Sequence, residues 1–285
     1  MLQPPLTTFR ADLFHALNQR VDRRLAKKVV STFHDLFVMT GEYSTPEFRA
    51  RFTKQAQRAA QNSDFIITVS EFTANQVSSL LGFRRSRICV VPHGVHQPVC
   101  AAPVQRENVI LFVGALQLRK NIVRLVHAFE TLPENWRLVL AGAPTGYQAE
   151  TILARIEQSP RRDHIQLTGY VSQSELERLY SCASIFAFPS LDEGFGMPIL
   201  EAMAHGVPVI TSRRSAMTEV AGAAAMLIDP NQTEELRFAL NLLVQNREQR
   251  QRLSEAGRER SRLYSWEKAV RSTHSVYEEV LCGRQ

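Results

Sequence analysis

Several features that would assign this chain to a common class of protein are missing from it. No apolar run approaches the length needed to cross a membrane, and the N-terminus lacks the hydrophobic core of a signal peptide. The few cysteines are scattered, without the spacing of a zinc site or a disulfide framework, at positions Cys89, Cys100, Cys182 and Cys282. These absences argue against a membrane-spanning protein, a zinc module and a disulfide scaffold. They predict a reducing, cytoplasmic location.

Acidic residues are scarce only in the first part of the chain. Residues 1–100 contain 13 Lys and Arg against 7 Asp and Glu, whereas the remaining residues contain 21 of each, so the whole net charge of +6 lies in the first part. No Cys/His finger or aromatic RNA-binding motif accompanies this charge, so we do not expect nucleic acid as the partner. An anionic membrane surface, an acidic acceptor and a merely solvated basic face remain open.

Short apolar runs alternate with longer amphipathic segments, which is typical of parallel, doubly wound α/β sheets. The length of 285 residues allows about two domains. The runs predicted to be strands are Val29–Phe33, Phe65–Val69, Ile88–Val91, Val109–Val113, Leu138–Ala141, Ile165–Thr168, Ile185–Phe188, Val207–Thr211 and Ala224–Ile228. Helical patterns separate most of them, for example at Asn121–Leu132, Ser172–Ser181 and Gln232–Val244.

The segment Cys100–Asn108 lacks periodicity and is predicted to link two domains. Six predicted strands follow it, enough for one complete Rossmann-like domain, but only three precede it, without a glycine-rich first turn. We therefore predict a partial first domain at residues 1–100 and a complete second domain at 101–262. A final amphipathic helix at 263–285 is expected to return to the first domain.

The segment from Glu193 to Glu201 is the most informative motif of the chain. An apolar run ends just before it, and Pro198 suits the first turn of a helix because its missing N–H needs no partner there. Gly194–Met197 is therefore predicted to turn from a strand into a helix, with backbone amides open to a ligand. If the segment from Glu193 to Glu201 is helical, its eight positions span slightly more than about two turns, so both glutamates lie on one side of the helix. Because carboxylates repel phosphate, we expect them to accept hydrogen bonds from hydroxyl groups.

This motif resembles the signature of the retaining glycosyltransferases of family 4, which are group 1 enzymes with the two-domain GT-B fold. The flanking segments agree, with Phe188–Ser190 before the motif and Glu201–Ile210 after it. The resemblance extends from about Ala11 to the C-terminus and implies two Rossmann-like domains, of which the first lacks its initial strands. A truncated gene, a misplaced start codon or a partner chain would each explain this, and the sequence does not choose among them.

The resemblance also implies roles for the motif residues. Glu201 would hold the ribose hydroxyls of a donor nucleotide, and Glu193 would lie nearer the transferred sugar. The glycine turn, Gly194, Phe195, Gly196 and Met197, would present backbone amides to sugar and phosphate oxygens. Gly169, Tyr170 and Val171, which follow a predicted strand, would seat the base.

The turn that follows Val109–Val113 resembles the family's diphosphate-binding turn. Gly114 would leave room for the ligand, and Arg119 and Lys120 would meet the diphosphate. Cations directed at the leaving group stabilise the negative charge that develops as the sugar bond breaks. A helix start with two solvated cations is the alternative.

His34 follows the strand Val29–Phe33, where a family histidine faces the donor sugar. A structural role at a strand end is the alternative for His34. No Asp-x-Asp metal motif accompanies the strands, so we expect neither a metal nor a cofactor, as the resemblance implies.

We therefore expect a retaining hexosyltransferase that uses a donor such as a GDP- or UDP-hexose. The acceptor would be a glycan, a lipid carrier or a small metabolite, and the protein would be cytoplasmic or peripheral at the inner membrane face. Two alternatives remain: a nucleotide-sugar-binding module with little turnover, and a nucleic-acid binder that uses the basic first hundred residues.

Overall fold

A computed structural model describes residues 11–98 and 105–282. Within these ranges the chain forms two compact units. Unit 1 contains the described residues up to Pro92 together with those from Glu267 onward, and unit 2 contains those of His93–Trp266. The units therefore divide at positions 92 and 266, whereas the sequence patterns placed the boundaries at 100 and 262. None of the helices in the described ranges combines the length and apolarity that crossing a membrane requires.

The described residues form ten strands and eleven helices, joined by loops and short 3₁₀ turns. The strands are β1 (Leu13–Ala16), β2 (Lys28–Phe33), β3 (Phe65–Thr68), β4 (Ile88–Val90), β5 (Glu107–Val113), β6 (Arg137–Ala141), β7 (Ile165–Gly169), β8 (Ala183–Phe188), β9 (Val209–Ser212) and β10 (Ala225–Ile228). The helices are α1 (Phe37–Thr40), α2 (Pro46–Asn62), α3 (Glu71–Leu81), α4 (Ile122–Phe129), α5 (Ala149–Glu157), α6 (Gln173–Cys182), α7 (Met197–Ala204), α8 (Ser215–Ala221), α9 (Thr233–Gln245), α10 (Arg247–Ser261) and α11 (Trp266–Cys282).

Unit 1 is built on a parallel sheet with the strand order β1-β2-β3-β4. Neighbouring residues of β2 point to opposite faces, so Val29 belongs to one apolar cluster and Val30 to another. The first cluster includes Ala56 of α2, and the second includes Val276 of α11. The final helix thus packs on one face of this sheet while α2 packs on the other.

The first unit has a fourth strand that the sequence patterns did not predict. Residues Leu13–Ala16 form β1, which pairs in parallel with β2 and places His15 opposite Val30. The expectation of only three strands before the linker was therefore wrong. Four residues, of which one is a histidine, are too short for a period-two pattern to stand out. Part of the predicted linker, 107–108, likewise belongs to β5, and its residues 100–104 lie outside the described ranges.

Unit 2 is the complete doubly wound domain that the strand pattern predicted. Its six strands are all parallel, in the order β10-β9-β8-β5-β6-β7. The chain runs from β5 outward through β6 and β7 and then crosses back to β8, so the strand order reverses between β5 and β8. The crevice at the carboxyl ends of two such strands is where open α/β sheets bind their ligands.

Local sequence signals explain where several helices begin. Ser70 caps α3, because its hydroxyl accepts a hydrogen bond from the backbone N–H of Thr73 at 3.1 Å. Ser172 caps α6 in the same way through Glu175. Pro198 lies in the first turn of α7, which confirms that residues 194–197 connect a strand to a helix.

Candidate active site

Three charged side chains meet at the carboxyl ends of β5 and β8. Arg119 and Lys120 lie in the turn between β5 and α4, and Glu193 lies between β8 and α7. Glu193 Oε1 is 2.7 Å from Arg119 Nη1 and 2.6 Å from Lys120 Nζ. The three residues, which we call the ion triad, are 8%, 6% and 8% exposed in chain order. Residues 73 positions apart thus form one buried charged cluster at the point where the strand order reverses.

The electrostatics of the ion triad keep Glu193 ionised. Burial by itself would raise the pKa of the Glu193 carboxyl group, but the charges and hydrogen bonds of Lys120 and Arg119 outweigh it and hold the pKa below its usual value. The ammonium group of Lys120 also lies 4.6 Å from the ring centroid of Phe188, the last residue of β8. Both cations are therefore held in place by partners on the β8 side.

Hydrogen bonds to backbone carbonyl groups connect the two loops of the ion triad. Leu191 N–H donates to the carbonyl of Arg119 at 2.7 Å, and Arg119 Nη1 donates to the carbonyl of Asp192 at 2.8 Å. Asn121 adopts a left-handed backbone with φ 59° and donates from Nδ2 to the carbonyls of Pro189 and Pro230. The loop after β5 is therefore a rigid support for its cations.

Glycines line the edge of the sheet beside the ion triad. Gly114, Gly142 and Gly169 end or follow the adjacent strands β5, β6 and β7, and all three have positive φ. Gly142 N–H donates to the carbonyl of Gly169 at 2.9 Å, and a Cβ atom on Gly142 would lie 2.0 Å from the carbonyl oxygen of Gly114. Only glycine permits this close approach of the loops. Gly114 itself lies beside the Lys120 side chain, because a Cβ there would be 3.5 Å from Lys120 Cε.

The second glutamate of the motif has a different partner. Tyr180 in α6 is 2% exposed and donates its hydroxyl to Glu201 Oε2 at 2.8 Å. Burial raises the pKa of Glu201, and the hydrogen bond from Tyr180 partly offsets that rise. Because α7 begins only at Met197, Glu193 is not on the helix. The expectation that helical spacing relates the two carboxylates was therefore wrong.

The glycine turn before α7 has the geometry predicted for it. Gly196 has φ 108° and is the N-cap residue of α7, which begins at Met197. The Phe195 ring packs edge-on against His93 at 5.3 Å and against Tyr264 at 5.9 Å, both measured between ring centroids. The Phe195 side chain is therefore buried among aromatic residues, and Gly194 precedes it in the same turn. Contacts of these amides with a sugar or a phosphate stay a prediction.

The residues predicted to seat the base lie at the end of β7. Gly169 has φ 68° with open space around its Cα, Tyr170 is 91% exposed, and Val171 is half-buried. The placement of Gly169 beside Gly142 brings this loop to the same sheet edge as the ion triad. A role in binding the base stays a prediction.

His34 lies in unit 1, just after β2. Its Nε2 donates a hydrogen bond to the carbonyl of Leu17 at 2.9 Å. Because a carbonyl oxygen can only accept, neutral His34 carries its proton on Nε2. The neighbouring His15 contacts Tyr277 Oη at 2.6 Å and Thr32 Oγ1 at 2.8 Å. Burial, and to a lesser extent the nearby His34, lowers the pKa of His15. The role of His34 toward a donor sugar stays a prediction.

Sequence reasoning missed three residues that shape this region. Gly142 was detectable, because it directly follows a predicted strand just as Gly114 follows β5. Tyr180 gave no signal, because an aromatic residue at helical spacing usually belongs to the core. Ser215, whose hydroxyl accepts from the backbone N–H of Glu193, gave none either. Within residues 11–98 and 105–282, no group of three or more His, Cys, Asp or Glu side chains is arranged to hold a metal ion.

Known families and proteins resemble both parts of the chain. The family described as "Glycosyl transferases group 1" matches residues 101–260, and "Glycosyltransferase Family 4" matches residues 5–97. The O-antigen chain mannosyltransferase B of Escherichia coli is 29% identical over 289 residues, which cover 95% of this chain and 75% of that protein. The MMP alpha-(1->4)-mannosyltransferase of Mycolicibacterium hassiacum is 29% identical over 81% of this chain, which spans 57% of that protein's length.

Solved structures share the fold. The Anabaena protein HepE in complex with UDP-glucose superimposes with a TM-score of 0.75 at 17% sequence identity, over 88% of this chain and 71% of that chain. At this identity the likeness concerns the fold alone. The structural neighbours are GT-B glycosyltransferases, in agreement with the fold that the sequence predicted.

Proposed function

The chain belongs to the glycosyl transferases group 1 family, and from that premise we propose that it transfers a hexose from a nucleotide sugar to an acceptor hydroxyl with retention of configuration. The donor is a nucleoside diphosphate hexose such as a GDP- or UDP-hexose, and the acceptor is a glycan, a lipid carrier or a small metabolite. The reaction needs neither a metal nor a further cofactor.

The ion triad is the observation that carries this proposal. Arg119 and Lys120 present two buried cations at the crevice where the strand order reverses. When the bond between the sugar and the diphosphate breaks, negative charge grows on the leaving phosphate. Preorganised cations in a site of low dielectric stabilise that charge more in the transition state than in the ground state. In this way they supply the charge balance that a metal ion would otherwise provide.

Retention requires attack and departure on the same face of the sugar. Glu193 is held by its two cations and Glu201 by the Tyr180 hydroxyl, so both glutamates of the motif are engaged by other side chains. We therefore favour a front-face displacement. The acceptor oxygen bonds to the anomeric carbon as the bond from that carbon to the phosphate oxygen breaks, and the leaving phosphate takes the acceptor's proton.

Mannose is the first sugar to test, because two relatives of the chain are named mannosyltransferases. The decisive experiment measures nucleoside diphosphate release from GDP-mannose and from UDP-glucose, after a thermal-shift screen for binding. Arg119→Gln and Lys120→Gln should each lower turnover by roughly 10²–10³-fold, the usual loss for one charge-stabilising contact. Arg252→Gln is the matched control, because Arg252 is an exposed arginine of α10 in the same unit.

Two outcomes would contradict the proposal. Turnover of Arg119→Gln or Lys120→Gln at the Arg252→Gln rate would remove that cation from the mechanism. Tight binding of a nucleotide sugar by the wild type without any release would instead favour the binding module.

We also propose that unit 1 contacts an anionic membrane surface from the cytoplasmic side. Arg51, Lys54 and Arg58 are exposed along one side of α2, at spacings that place them on a single helix face. None of the three has a salt-bridge partner among the described residues. Phe48, 41% exposed, lies at the end of this face, with the Arg51 guanidinium 5.3 Å from its ring centroid. Cations beside an exposed aromatic ring suit the surface of an anionic bilayer.

Vesicle sedimentation tests this contact. The wild type should bind vesicles that contain phosphatidylglycerol and not those of phosphatidylcholine alone, with binding that weakens as salt is raised. Each of Arg51→Gln and Lys54→Gln should weaken binding, by about 1 kcal/mol per charge. Equal binding of both vesicle types, or no loss in these variants compared with Arg252→Gln, would refute the contact.

A further inference from the structure

Ser215 holds an unusual backbone conformation next to the candidate active site. It is the first residue of α8, which follows the short loop after β9, and it has φ 51°. Among the described residues only three that are not glycine have positive φ, namely Asn121, Gln148 and Ser215. A non-glycine residue in this region is strained, so the surrounding structure must enforce the conformation. Two of the three, Asn121 and Ser215, are in direct contact with the loops of the ion triad.

The contacts of Ser215 are made with the backbone of Glu193. Glu193 N–H donates to Ser215 Oγ at 3.1 Å, and the next residue, Ala216, donates its N–H to the Glu193 carbonyl at 3.3 Å. Both backbone polar groups of Glu193 are thus held by two consecutive residues at the start of α8. Its carboxylate is held by Arg119 and Lys120.

We propose that Ser215 is a positioning residue for the transfer reaction, which fixes Glu193 so that its carboxylate keeps both cations of the ion triad in their working positions. This inference rests on the proposed function. A glycine would adopt φ 51° without strain, but it would offer no hydroxyl to the Glu193 N–H. A serine at this position therefore has a strained backbone, but its hydroxyl accepts the hydrogen bond from the Glu193 N–H.

The effect on catalysis follows from the geometry of the ion triad. Glu193 Oε1 contacts both cations. A shift of the Glu193 backbone therefore moves both contacts at once. Misplacement by about 1 Å costs on the order of 10² in rate when it affects groups that act in the transition state. We expect the loss mainly in kcat, because the cations matter most when leaving-group charge develops.

Three substitutions separate positioning from a merely structural role. Ser215→Gly removes the hydroxyl and relieves the strain, Ser215→Ala removes the hydroxyl and keeps the strain, and Ser215→Thr keeps the hydroxyl and adds a β-branch. Thermal stability should then be higher for Ser215→Gly than for Ser215→Ala, because both lack the hydroxyl and only glycine relieves the strain. Turnover should follow the hydroxyl instead, with Thr close to Ser and with Gly and Ala at least tenfold lower in kcat.

Gln148→Gly is the matched control. Gln148 is exposed, has φ 59° and precedes α5 in the same unit, so its replacement also relieves strain. It should relieve strain without removing a hydrogen bond to Glu193, and leave kcat unchanged. The assay follows release of nucleoside diphosphate from GDP-mannose and UDP-glucose, and uses whichever donor the wild type turns over faster.

The outcomes distinguish this inference from the proposed function. A wild type that turns over neither donor would end the proposed function, and the role of Ser215 with it. An active wild type with wild-type kcat in Ser215→Gly would leave the proposed function standing and overturn only the positioning role. A stable but slow Ser215→Gly, together with a fast Gln148→Gly, would support the inference. Should Ser215→Thr fail to fold, the contrast between these two glycine variants still decides the matter.

Discussion

The charge balance of the ion triad makes Glu193→Gln the most informative single substitution. Glutamine keeps the size of the side chain and removes the carboxylate that lies 2.7 Å from Arg119 Nη1 and 2.6 Å from Lys120 Nζ. Those cations are 8% and 6% exposed, so little water reaches them to replace the lost partner. Removing one partner of a buried ion pair lowers the free energy of unfolding by about 3–5 kcal/mol, because the remaining charge is left uncompensated.

That free energy converts into a large fall in melting temperature. For a domain of 150–250 residues, 1 kcal/mol corresponds to about 2–4 °C, so the melting temperature of unit 2 should fall by roughly 6–20 °C at pH 7. The pKa of Glu193 lies below its usual value, so its contribution is present above the unfolded-state value and is lost as the pH falls through the folded-state value. The gap between wild type and variant should therefore narrow below about pH 4.

Calorimetry with and without GDP measures this effect. A bound diphosphate supplies the anionic charge that the variant lacks, so GDP should raise the melting temperature of Glu193→Gln more than that of the wild type. Glu234→Gln is the control, because the carboxylate of Glu234 pairs with Arg237 at 2.7 Å but is 76% exposed. It should cost less than about 1 kcal/mol. Equal melting temperatures for the two variants, or equal stabilisation of Glu193→Gln and wild type by GDP, would refute the reasoning.

Other substitutions test separate parts of the structure. Burial raises the pKa of Glu201, so its ionised form reduces stability as the pH rises above the pKa of the unfolded state. Glu201→Gln should therefore raise the melting temperature at pH 7. The same substitution should weaken GDP binding in a titration. Burial lowers the pKa of His15, so the stability that depends on neutral His15 is lost as the pH falls below about 6.5. Hydrogen exchange of the β1 and β2 amides should then become faster in the wild type but not in His15→Gln. Gly142→Ala should destabilise the protein more than Gly82→Ala does in denaturant titrations. Both glycines have positive φ, but only the Gly142 Cβ would meet a backbone carbonyl.

The centre of unit 2 was predictable because β5 and β8 are largely buried and therefore form nearly continuous apolar runs. Val109–Val113 and Ile185–Phe188 each stand out as such runs, and the structure places β5 and β8 over them. The turn before α7 was predictable as well, because Pro198 and Gly196 each restrict the backbone in a way that a sequence displays. Strand β1 was missed, because its four residues include a histidine and are too few for a clear apolar pattern.

The sequence by itself determined the fold class and the family, since both depend on local pattern and motif. Only the tertiary structure decided which charges meet. The reversal of strand order between β5 and β8 brings Arg119 and Lys120 onto Glu193, and the loop after β9 brings Ser215 onto the backbone of Glu193. No local signal encodes these contacts, because each depends on two segments that only sheet pairing brings together.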